Sequence, residues 1–308
     1  MPLNGAARAA ILLAAGNRGT ERFMRRYGMR LGASRFVAGE TLDQAVDAIR
    51  RLNRAGFKCN ATELGEAVGT EADAARAVAD YEVLLRRMAS EGLRANAALK
   101  LTLLGQDIDP GLAERNLAHL LDLARELGLF IRVDMEDSAH VQPTLDAYRH
   151  LRERGYENVG CVLQSYLFRS YQDLEQLLPL SPNLRLVKGA YLEPAQVAFP
   201  RKQDVDRNYL RMMELALSGG GYTALATHDP DIIEESVTFA LRQRIPKDRF
   251  EFQMLYGVRP DLQRQLVARG YTVLVAVSYG THWYPFFMRR LAERPANVLF
   301  LARNLVRR

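Results

Sequence analysis

Cysteine and long apolar runs are scarce in this sequence. Its 308 residues include two cysteines, Cys59 and Cys161, which excludes a disulfide-stapled scaffold and a four-cysteine zinc site. The longest purely apolar stretch, residues 9–15, falls far short of the about 20 residues that a membrane-spanning helix needs. This stretch also lacks the basic start, the long apolar region and the cleavage site of a signal peptide. We therefore expect a cytoplasmic protein.

The common nucleotide, zinc and serine-hydrolase motifs are missing as well. No G-x-G-x-x-G follows a β-type run and no G-x-x-x-x-G-K-[ST] occurs, which argues against a Rossmann domain and a P-loop. The five histidines are scattered and no H-E-x-x-H is present, so we expect no metal site. No G-x-S-x-G indicates a serine nucleophile.

The sequence does contain a large apolar fraction and a small excess of positive charge. Hydrophobic residues make up 48% of the chain, which is enough to form a folded core. Forty-two Lys and Arg against 36 Asp and Glu leave a net charge of +6. An excess of this size suits nucleic acid, a membrane surface or an anionic ligand, and composition alone does not choose among them.

Short β-type runs alternate with helical segments along the chain. The runs are mainly apolar without strict alternation, which is typical of parallel strands buried on both faces. They recur every few tens of residues, about the size of a βα unit. The capping box Thr41-Leu42-Asp43-Gln44 and the Asp-Pro pairs at 109–110 and 229–230 predict helix starts. The predicted strands are Phe57–Ala61, Ala97–Leu101, Leu129–Asp134, Val159–Gln164, Leu184–Lys188, Thr223–Ala226, Phe250–Met254 and Thr272–Val277.

Eight such units most simply close into an α/β fold, the (βα)8 barrel, although an open doubly wound sheet also satisfies the pattern. Residues 1–40 are helical and basic in character and precede the first strand. No linker or low-complexity tract divides the chain. We therefore predict an N-terminal helical arm over residues 1–40 and a barrel domain over residues 41–308.

Polar residues cluster at the predicted carboxyl ends of the strands, where a barrel places its chemistry. Five cations, Lys100, Arg185, Lys188, Arg289 and Arg290, lie at this predicted rim and are opposed by Asp134 and nearby acids. This set predicts an anionic ligand with a phosphate and a carboxylate. The adjacent Arg289 and Arg290, on the last predicted helix, suit bidentate capture of a carboxylate. The polar residues at the strand ends are Lys100, Thr102, Asp134, Glu136, Asp137, Gln164, Arg185, Lys188, Tyr191, Thr227, His228, Asp229, Gln253 and Tyr256.

Several of these residues have a structural alternative. Asp134 equally suits a buried pair with Lys100 or Arg185, and such pairing does not exclude catalysis. Asp229 is expected to be a helix N-cap because a proline follows it. Arg185 and Lys188 are three positions apart, so one ideal strand does not point both inward, and one of them must act from the strand end or after a bulge.

Six short runs, each at a predicted strand end or on the last helix, occur in a characteristic order. Each run is weak alone, but the ordered set resembles the flavin-dependent proline dehydrogenase family, specifically its short bacterial monofunctional members. The resemblance covers roughly residues 40–305. The runs are Leu99–Thr102, Val133–Glu136, Arg185–Tyr191, Ala226–Asp229, Phe252–Gly257 and Arg289–Glu293.

This resemblance implies a distorted (βα)8 TIM-type barrel that holds FAD non-covalently. It also implies the oxidation of L-proline to 1-pyrroline-5-carboxylate by hydride transfer to the flavin, the first step of proline catabolism. The electrons then pass to a membrane quinone, with oxygen left open as an alternative acceptor. Electron delivery to a quinone fits a peripheral contact with the inner face of the membrane.

By the same resemblance, the site residues fall into three groups. Asp134 and Arg185 match catalytic positions, and Lys100 is expected to form an ion pair with Asp134. The substrate-binding positions are Lys100, Tyr191, Leu255, Arg289 and Arg290, the two arginines holding the carboxylate. The cofactor-binding positions are Met135, Gln164, Val187, Lys188, Gly189, Ala190, Thr227, His228 and Glu293.

One run departs from the family pattern. The family usually has Tyr-x-Pro-Tyr-Gly where this chain has Ala276-Val277-Ser278-Tyr279-Gly280. In the family that first tyrosine packs against the proline ring, and alanine leaves most of its volume empty. We therefore expect weak binding of proline, or a bulkier or substituted cyclic amino acid as substrate.

Two other classes of function stay open at this stage. A Schiff-base aldolase on the same barrel would use Lys100 or Lys188 as its nucleophile and the two arginines to bind an anionic substrate. A basic nucleic-acid-binding protein is the other class. Since the basic residues are interleaved with acids and no nucleic-acid module occurs, we expect no nucleic-acid partner.

Overall fold

Eight parallel strands close into a single barrel in a computed structural model of the chain, which describes residues 18–65 and 67–293. Each strand pairs with its neighbour in sequence, and β8 pairs with β1. The predicted (βα)8 barrel is confirmed, and the open sheet is excluded. The strands are β1 (Lys58–Glu63), β2 (Ala95–Leu99), β3 (Ile131–Val133), β4 (Val159–Gln164), β5 (Asn183–Val187), β6 (Tyr222–Ala226), β7 (Phe250–Leu255) and β8 (Val273–Tyr279).

Among the residues that the structure describes, one α-helix follows every strand and two α-helices precede the first strand. No helix within 18–65 and 67–293 combines the length and the apolar character needed to cross a membrane. The helices before β1 are α1 (Arg18–Leu31) and α2 (Leu42–Arg54). The helices after the successive strands are α3 (Glu71–Ser90), α4 (Pro110–Glu126), α5 (Val141–Glu153), α6 (Ser170–Leu177), α7 (Lys202–Ser218), α8 (Pro230–Arg242), α9 (Pro260–Ala268) and α10 (Trp283–Glu293).

Three predicted strands end earlier than expected, and the difference places polar residues at the barrel mouth. β2 ends at Leu99, because Lys100 precedes a 3-10 helix over Leu101–Leu104. β3 and β5 end one residue before Asp134 and Lys188. These side chains are therefore carried by the first residue beyond a strand, where they need not follow the alternation of the pleat.

The outward faces of the strands pack against the helices, and buried tyrosines bind the strand backbone there. The Tyr81 hydroxyl on α3 donates to the Ala98 carbonyl at 2.9 Å, and Tyr209 on α7 donates to the Leu186 carbonyl at 3.2 Å. Cys59 and Cys161 are fully buried, and burial raises the pKa of each thiol to about 12. Both cysteines are therefore unreactive core residues.

The described part of the predicted arm packs against the last helix. Met24 on α1 and the following residues Phe36 and Val37 share an apolar cluster with Trp283 and Phe287 of α10. The Trp283 indole donates its N–H to the Glu40 carboxylate at 2.8 Å. The N-terminal segment is thus attached to the helix that follows β8, whereas residues 1–17 lie outside the described part of the chain.

The predicted capping box at the start of α2 is confirmed. The Gln44 backbone N–H donates to the Thr41 hydroxyl at 3.4 Å, and the Gln44 side chain accepts from the Thr41 N–H at 3.3 Å.

We expect Thr41→Ala to lower the free energy of unfolding by about 1 kcal/mol, because one N-terminal N–H of the helix loses its acceptor. Chemical denaturation measures this change. Thr41→Ser keeps the hydroxyl and should behave as wild type; an equal loss in both variants would contradict the prediction.

Candidate active site

The carboxyl ends of the strands bring the predicted polar residues to one mouth of the barrel. Lys100 follows β2, Asp134 follows β3, and Gln164 is the last residue of β4. Parallel strands in a closed barrel end on the same side, so residues far apart in sequence meet there. The other predicted residues at this mouth are Met135, Arg185, Val187, Lys188, Gly189, Thr227, His228 and Leu255, with Ala190 and Tyr191 in the loop after β5.

Arg185 projects from β5 and holds two side chains from other strands. Its Nη1 donates to Asp134 Oδ1 at 2.6 Å, and its Nε donates to Gln253 Oε1 at 2.6 Å. The residue is 9% exposed. A charged hydrogen bond in a nearly dry interior is short and strong, so the guanidinium is held in one position.

From Arg185, a hydrogen-bonded chain continues away from the mouth, toward the amino ends of β6 and β7. Gln253 Nε2 donates to Glu251 Oε1 at 2.6 Å, and the Tyr222 hydroxyl donates to Glu251 Oε2 at 2.9 Å. Glu251 and Gln253 are 3% and 4% exposed. Burial and the charge of Glu251 raise the pKa of Tyr222 well above its usual value, so the hydroxyl keeps its proton and acts as the donor.

A second arginine lies in the same interior. Arg132 on β3 is 2% exposed and donates from Nη1 to the carbonyls of Cys161 and Asn183, at 3.1 and 2.7 Å. Burial, assisted by the charge of Arg185, lowers the pKa of Arg132 to about 10, while the charge of Glu251 opposes that shift. The interior therefore contains two guanidinium groups whose mutual repulsion is offset by carboxylates.

Lys188 occupies a different position from Arg185. Its Nζ lies 2.6 Å from Asp206 Oδ1 and 2.9 Å from Asp229 Oδ2, outside the strand. The expectation that the two cations do not both point inward from one strand is confirmed, because Lys188 lies just beyond the end of β5. Burial alone would raise the pKa of Asp229, but the hydrogen bond and charge of Lys188 hold it below its usual value.

Asp229 also begins α8, as predicted. Its side chain accepts the backbone N–H of Asp231 at 3.2 Å, and Pro230 is the first residue of the helix. Just before it, the Thr227 hydroxyl accepts the Asp229 N–H at 3.1 Å. The N-cap role does not remove Asp229 from the mouth, since its other oxygen binds Lys188.

The expected ion pair between Lys100 and Asp134 is absent from the described residues. Asp134 is bonded to Arg185 instead. The reason lies in the backbone: Lys100 follows the end of β2 where the chain turns into a 3-10 helix, whereas Arg185 points into the barrel from within β5. Of the two structural partners that the sequence leaves open for Asp134, the structure selects Arg185.

Gln164 and His228 present fixed polar atoms at the mouth. Gln164 is 3% exposed and its Nε2 donates to the carbonyls of Met135 and Glu136, at 3.1 and 2.9 Å, while its Oε1 is buried without a partner among the described residues. His228 Nε2 accepts the Leu255 N–H at 2.9 Å, which fixes the orientation of the imidazole ring. The mouth thus offers an unused acceptor and a fixed imidazole.

Gly189 is required by the backbone after β5. Its φ is +112°, a conformation that residues with a side chain rarely adopt, and a Cβ there would overlap the Tyr166 ring. The backbone that follows β5 therefore passes close to the Tyr166 ring directly after Lys188. Of the other predicted residues in this region, Met135 is buried, while Val187 and Tyr191 are half-buried and Ala190 is exposed.

Ala276 lies at an opening in the barrel. It pairs with Asn60 of β1 and Leu255 of β7, and it is half-buried although the other residues of β8 are buried. Leu255 is likewise half-buried at the end of β7. Ala276 and Leu255 are therefore neighbouring apolar residues that both keep part of their surface exposed.

Arg289, Arg290 and Glu293 lie on α10, and their side chains fall outside the described part of the structure.

The sequence did not lead us to expect Glu251, Tyr222 or Arg132 at the site. A signal was present for two of them: polar residues alternate with apolar ones in Phe250-Glu251-Phe252-Gln253 and Ile131-Arg132-Val133, which indicates one strand face that tolerates charge.

Comparisons with known proteins agree on one family. A model of the proline dehydrogenase family matches residues 45–303. The chain is 41% identical over 301 residues to proline dehydrogenase 1 of Bacillus subtilis strain 168, covering 98% of this chain and 99% of that protein. It is 45% identical over 279 residues to the proline dehydrogenase of Deinococcus radiodurans, covering 89% and 90%.

A solved structure shares the fold over most of the chain. Proline utilization A from Bdellovibrio bacteriovorus, crystallised after inactivation by N-propargylglycine, superposes with a TM-score of 0.80 at 22% sequence identity. The match covers 92% of this chain and 38% of that larger protein. At this identity the likeness concerns the barrel fold alone.

Proposed function

The chain belongs to the proline dehydrogenase family, and on that premise we propose that it oxidises L-proline to 1-pyrroline-5-carboxylate with FAD bound non-covalently at the barrel mouth. The observation that carries this proposal is Arg185, buried at the mouth and held by Asp134 and Gln253. A fixed guanidinium at this position favours a ligand that gains negative charge during the reaction. A flavin is such a ligand when it is reduced.

The residues at the mouth suit a flavin. The unpartnered Gln164 Oε1 needs an N–H donor, and an isoalloxazine ring has one. The Lys188 side chain suits its phosphate oxygens. When bound, the flavin supplies the acceptor for the hydride that proline loses.

The remaining chemistry consists of orientation and charge, which the chain supplies. We propose that Lys100, Tyr191, Leu255, Arg289 and Arg290 bind the substrate, with the two arginines holding its carboxylate. Arg185 stabilises negative charge, and Asp134 keeps the guanidinium at the mouth. Contacts to the cofactor are proposed for Met135, Gln164, Val187, Lys188, Gly189, Ala190, Thr227, His228 and Glu293.

Further proposals concern the domain organisation, the electron acceptor and the location of the protein. We propose that residues 1–40 form an arm attached to α10 and that residues 41–308 form the flavin-binding barrel, because Met24 and Phe36 pack on Trp283. The electrons leave to a quinone, and the protein acts at the cytoplasmic side, in peripheral contact with the inner face of the membrane. The net charge of +6 supports contact with an anionic lipid surface.

One specific observation, the partial exposure of Ala276, supports a second candidate substrate. A half-buried alanine in the middle of an otherwise buried strand leaves room beside Leu255. We therefore propose a bulkier or substituted cyclic amino acid as the second candidate substrate of the same reaction. The Schiff-base aldolase is disfavoured for Lys188, because its Nζ is already paired with the carboxylates of Asp206 and Asp229.

The test of the proposed function is the colour and turnover of the purified full-length protein. We expect a yellow protein with flavin absorbance that releases FAD on denaturation and reduces an artificial dye when L-proline is added. Borohydride trapping of a lysine adduct should fail. A colourless preparation that binds no added FAD, or a borohydride-trapped lysine adduct, would contradict the proposal.

A further inference from the structure

Glu251, a buried carboxylate inside the barrel, has no role in the proposed function. Glu251 is 3% exposed, and both of its oxygens are occupied: Oε1 accepts from Gln253 Nε2 and Oε2 accepts from the Tyr222 hydroxyl. A carboxylate in a dry interior is costly unless charge and hydrogen bonds compensate it. Its retention at this place needs a reason.

The directions of the hydrogen bonds supply that reason. An ionised carboxylate only accepts, so Gln253 must turn its NH₂ group toward Glu251. The amide oxygen of Gln253 then faces the other way, where it accepts from Arg185 Nε. If the amide turned over, its NH₂ group would face the guanidinium, and two donors would meet. Glu251 therefore sets which face Gln253 offers to Arg185.

Arg185 depends on this arrangement on one side and on Asp134 on the other. Nε is bound by Gln253 and Nη1 by Asp134, so the guanidinium is fixed at two points. The charge of Glu251 also offsets the repulsion between Arg185 and Arg132, which both lie in the interior. The same carboxylate thus supports the position of Arg185 by geometry and by charge.

We propose that Glu251 is a positioning residue for Arg185, acting through the amide of Gln253. The inference rests on the proposed function, since it concerns the residue that would stabilise charge on the reduced flavin. Glu251 does not itself reach the mouth of the barrel, because Gln253 and Arg185 lie between Glu251 and the mouth.

The experiment compares Glu251→Gln with a matched control in the full-length flavin-loaded protein. Glutamine has the same shape but removes the charge, and it satisfies either orientation of Gln253, so the Gln253 oxygen is no longer held toward Arg185 Nε. The control is Asp173→Asn, which neutralises a carboxylate on α6 that is also 3% exposed but pairs with Arg169, outside the barrel. A second variant, Gln253→Met, removes the relay and leaves Glu251 bonded to Tyr222.

Two readouts are measured: kcat/KM for proline and the visible circular dichroism of the bound flavin. We expect Glu251→Gln and Gln253→Met each to lower kcat/KM by about tenfold, the effect of one lost hydrogen bond, and to change the flavin spectrum. Asp173→Asn should stay within about twofold of wild type with an unchanged spectrum. In an Arg185→Met background, Glu251→Gln should add less than about twofold.

The outcomes separate this inference from the proposed function. If wild type turns over proline but Glu251→Gln matches Asp173→Asn in both readouts, Glu251 is not a positioning residue. The inference also fails if Glu251→Gln lowers activity as much in the Arg185→Met background as in wild type. Absence of flavin and of proline turnover in wild type would instead contradict the proposed function.

Discussion

Replacing Arg185 with methionine should lower kcat/KM for proline by about 100- to 1,000-fold, the range found when one preorganised donor is removed from a catalytic site. Methionine keeps much of the length of the side chain and removes its charge. Asp134 and Gln253 then lose their shared donor, and nothing among their hydrogen bonds replaces it. Steady-state kinetics in a dye-coupled assay measures the change.

The loss should arise at the mouth and not from unfolding. Arg149→Met is the matched control, because Arg149 is also a partly buried arginine that binds an aspartate, Asp146, but on the outer helix α5. That variant should retain kcat/KM within about twofold. Thermal unfolding and flavin content of both variants report their integrity. A well-folded, flavin-loaded Arg185→Met protein with wild-type kinetics would show that Arg185 has no part in the reaction.

The prediction depends on a position that the sequence indicates only in part. The spacing of Arg185 and Lys188 predicts that they do not both point inward, because side chains alternate along a strand. The pleat alone does not say which one enters the barrel. That choice follows from where β5 ends, at Val187, and from the two aspartates that meet Lys188 outside it.

The fold itself was largely predictable because its signals are local. Apolar runs at βα spacing, the capping box at Thr41 and the Asp-Pro helix starts each depend on neighbours in sequence, and all reappear in the structure. The strand ends were less predictable. Lys100 belongs to a turn into a 3-10 helix, and an apolar sequence such as Leu101–Leu104 does not distinguish that turn from a longer strand.

The hydrogen-bonded chain inside the barrel was not predictable for a different reason. Arg185 and Gln253 are 68 positions apart, and Tyr222 and Glu251 are 29 apart. Their contacts follow from the registers of β5 with β6 and β6 with β7, where Arg185, Ala224 and Glu251 lie side by side. No local pattern encodes a register, so the sequence reasoning recognised Arg185 but assigned Lys100 to Asp134.

Ala276→Tyr should shift the substrate preference of the enzyme toward proline. Ala276 is half-buried beside Leu255, so a tyrosine ring would occupy the opening and reduce the space next to the substrate. Pipecolate has one methylene more than proline, and one methylene in a close-fitting pocket changes kcat/KM by about 10- to 200-fold. We expect the ratio of kcat/KM for proline to that for pipecolate to rise by about 10- to 100-fold in the variant. Parallel dye-coupled assays with proline, hydroxyproline and pipecolate measure this ratio.

Two further variants separate pocket size from other effects of the substitution. Ala276→Leu fills part of the same space without a hydroxyl group, so its ratio should lie between those of wild type and Ala276→Tyr. Leu241→Tyr adds the same ring on the outer surface, where Leu241 is 67% exposed, and should leave the ratio unchanged. If wild type already oxidises proline efficiently, rejects pipecolate and gains nothing from Ala276→Tyr, the opening at Ala276 does not contact the substrate. A graded response would instead place residue 276 in the wall that limits the size of the ring, which is the role expected for a small residue on the inner face of β8 next to Leu255.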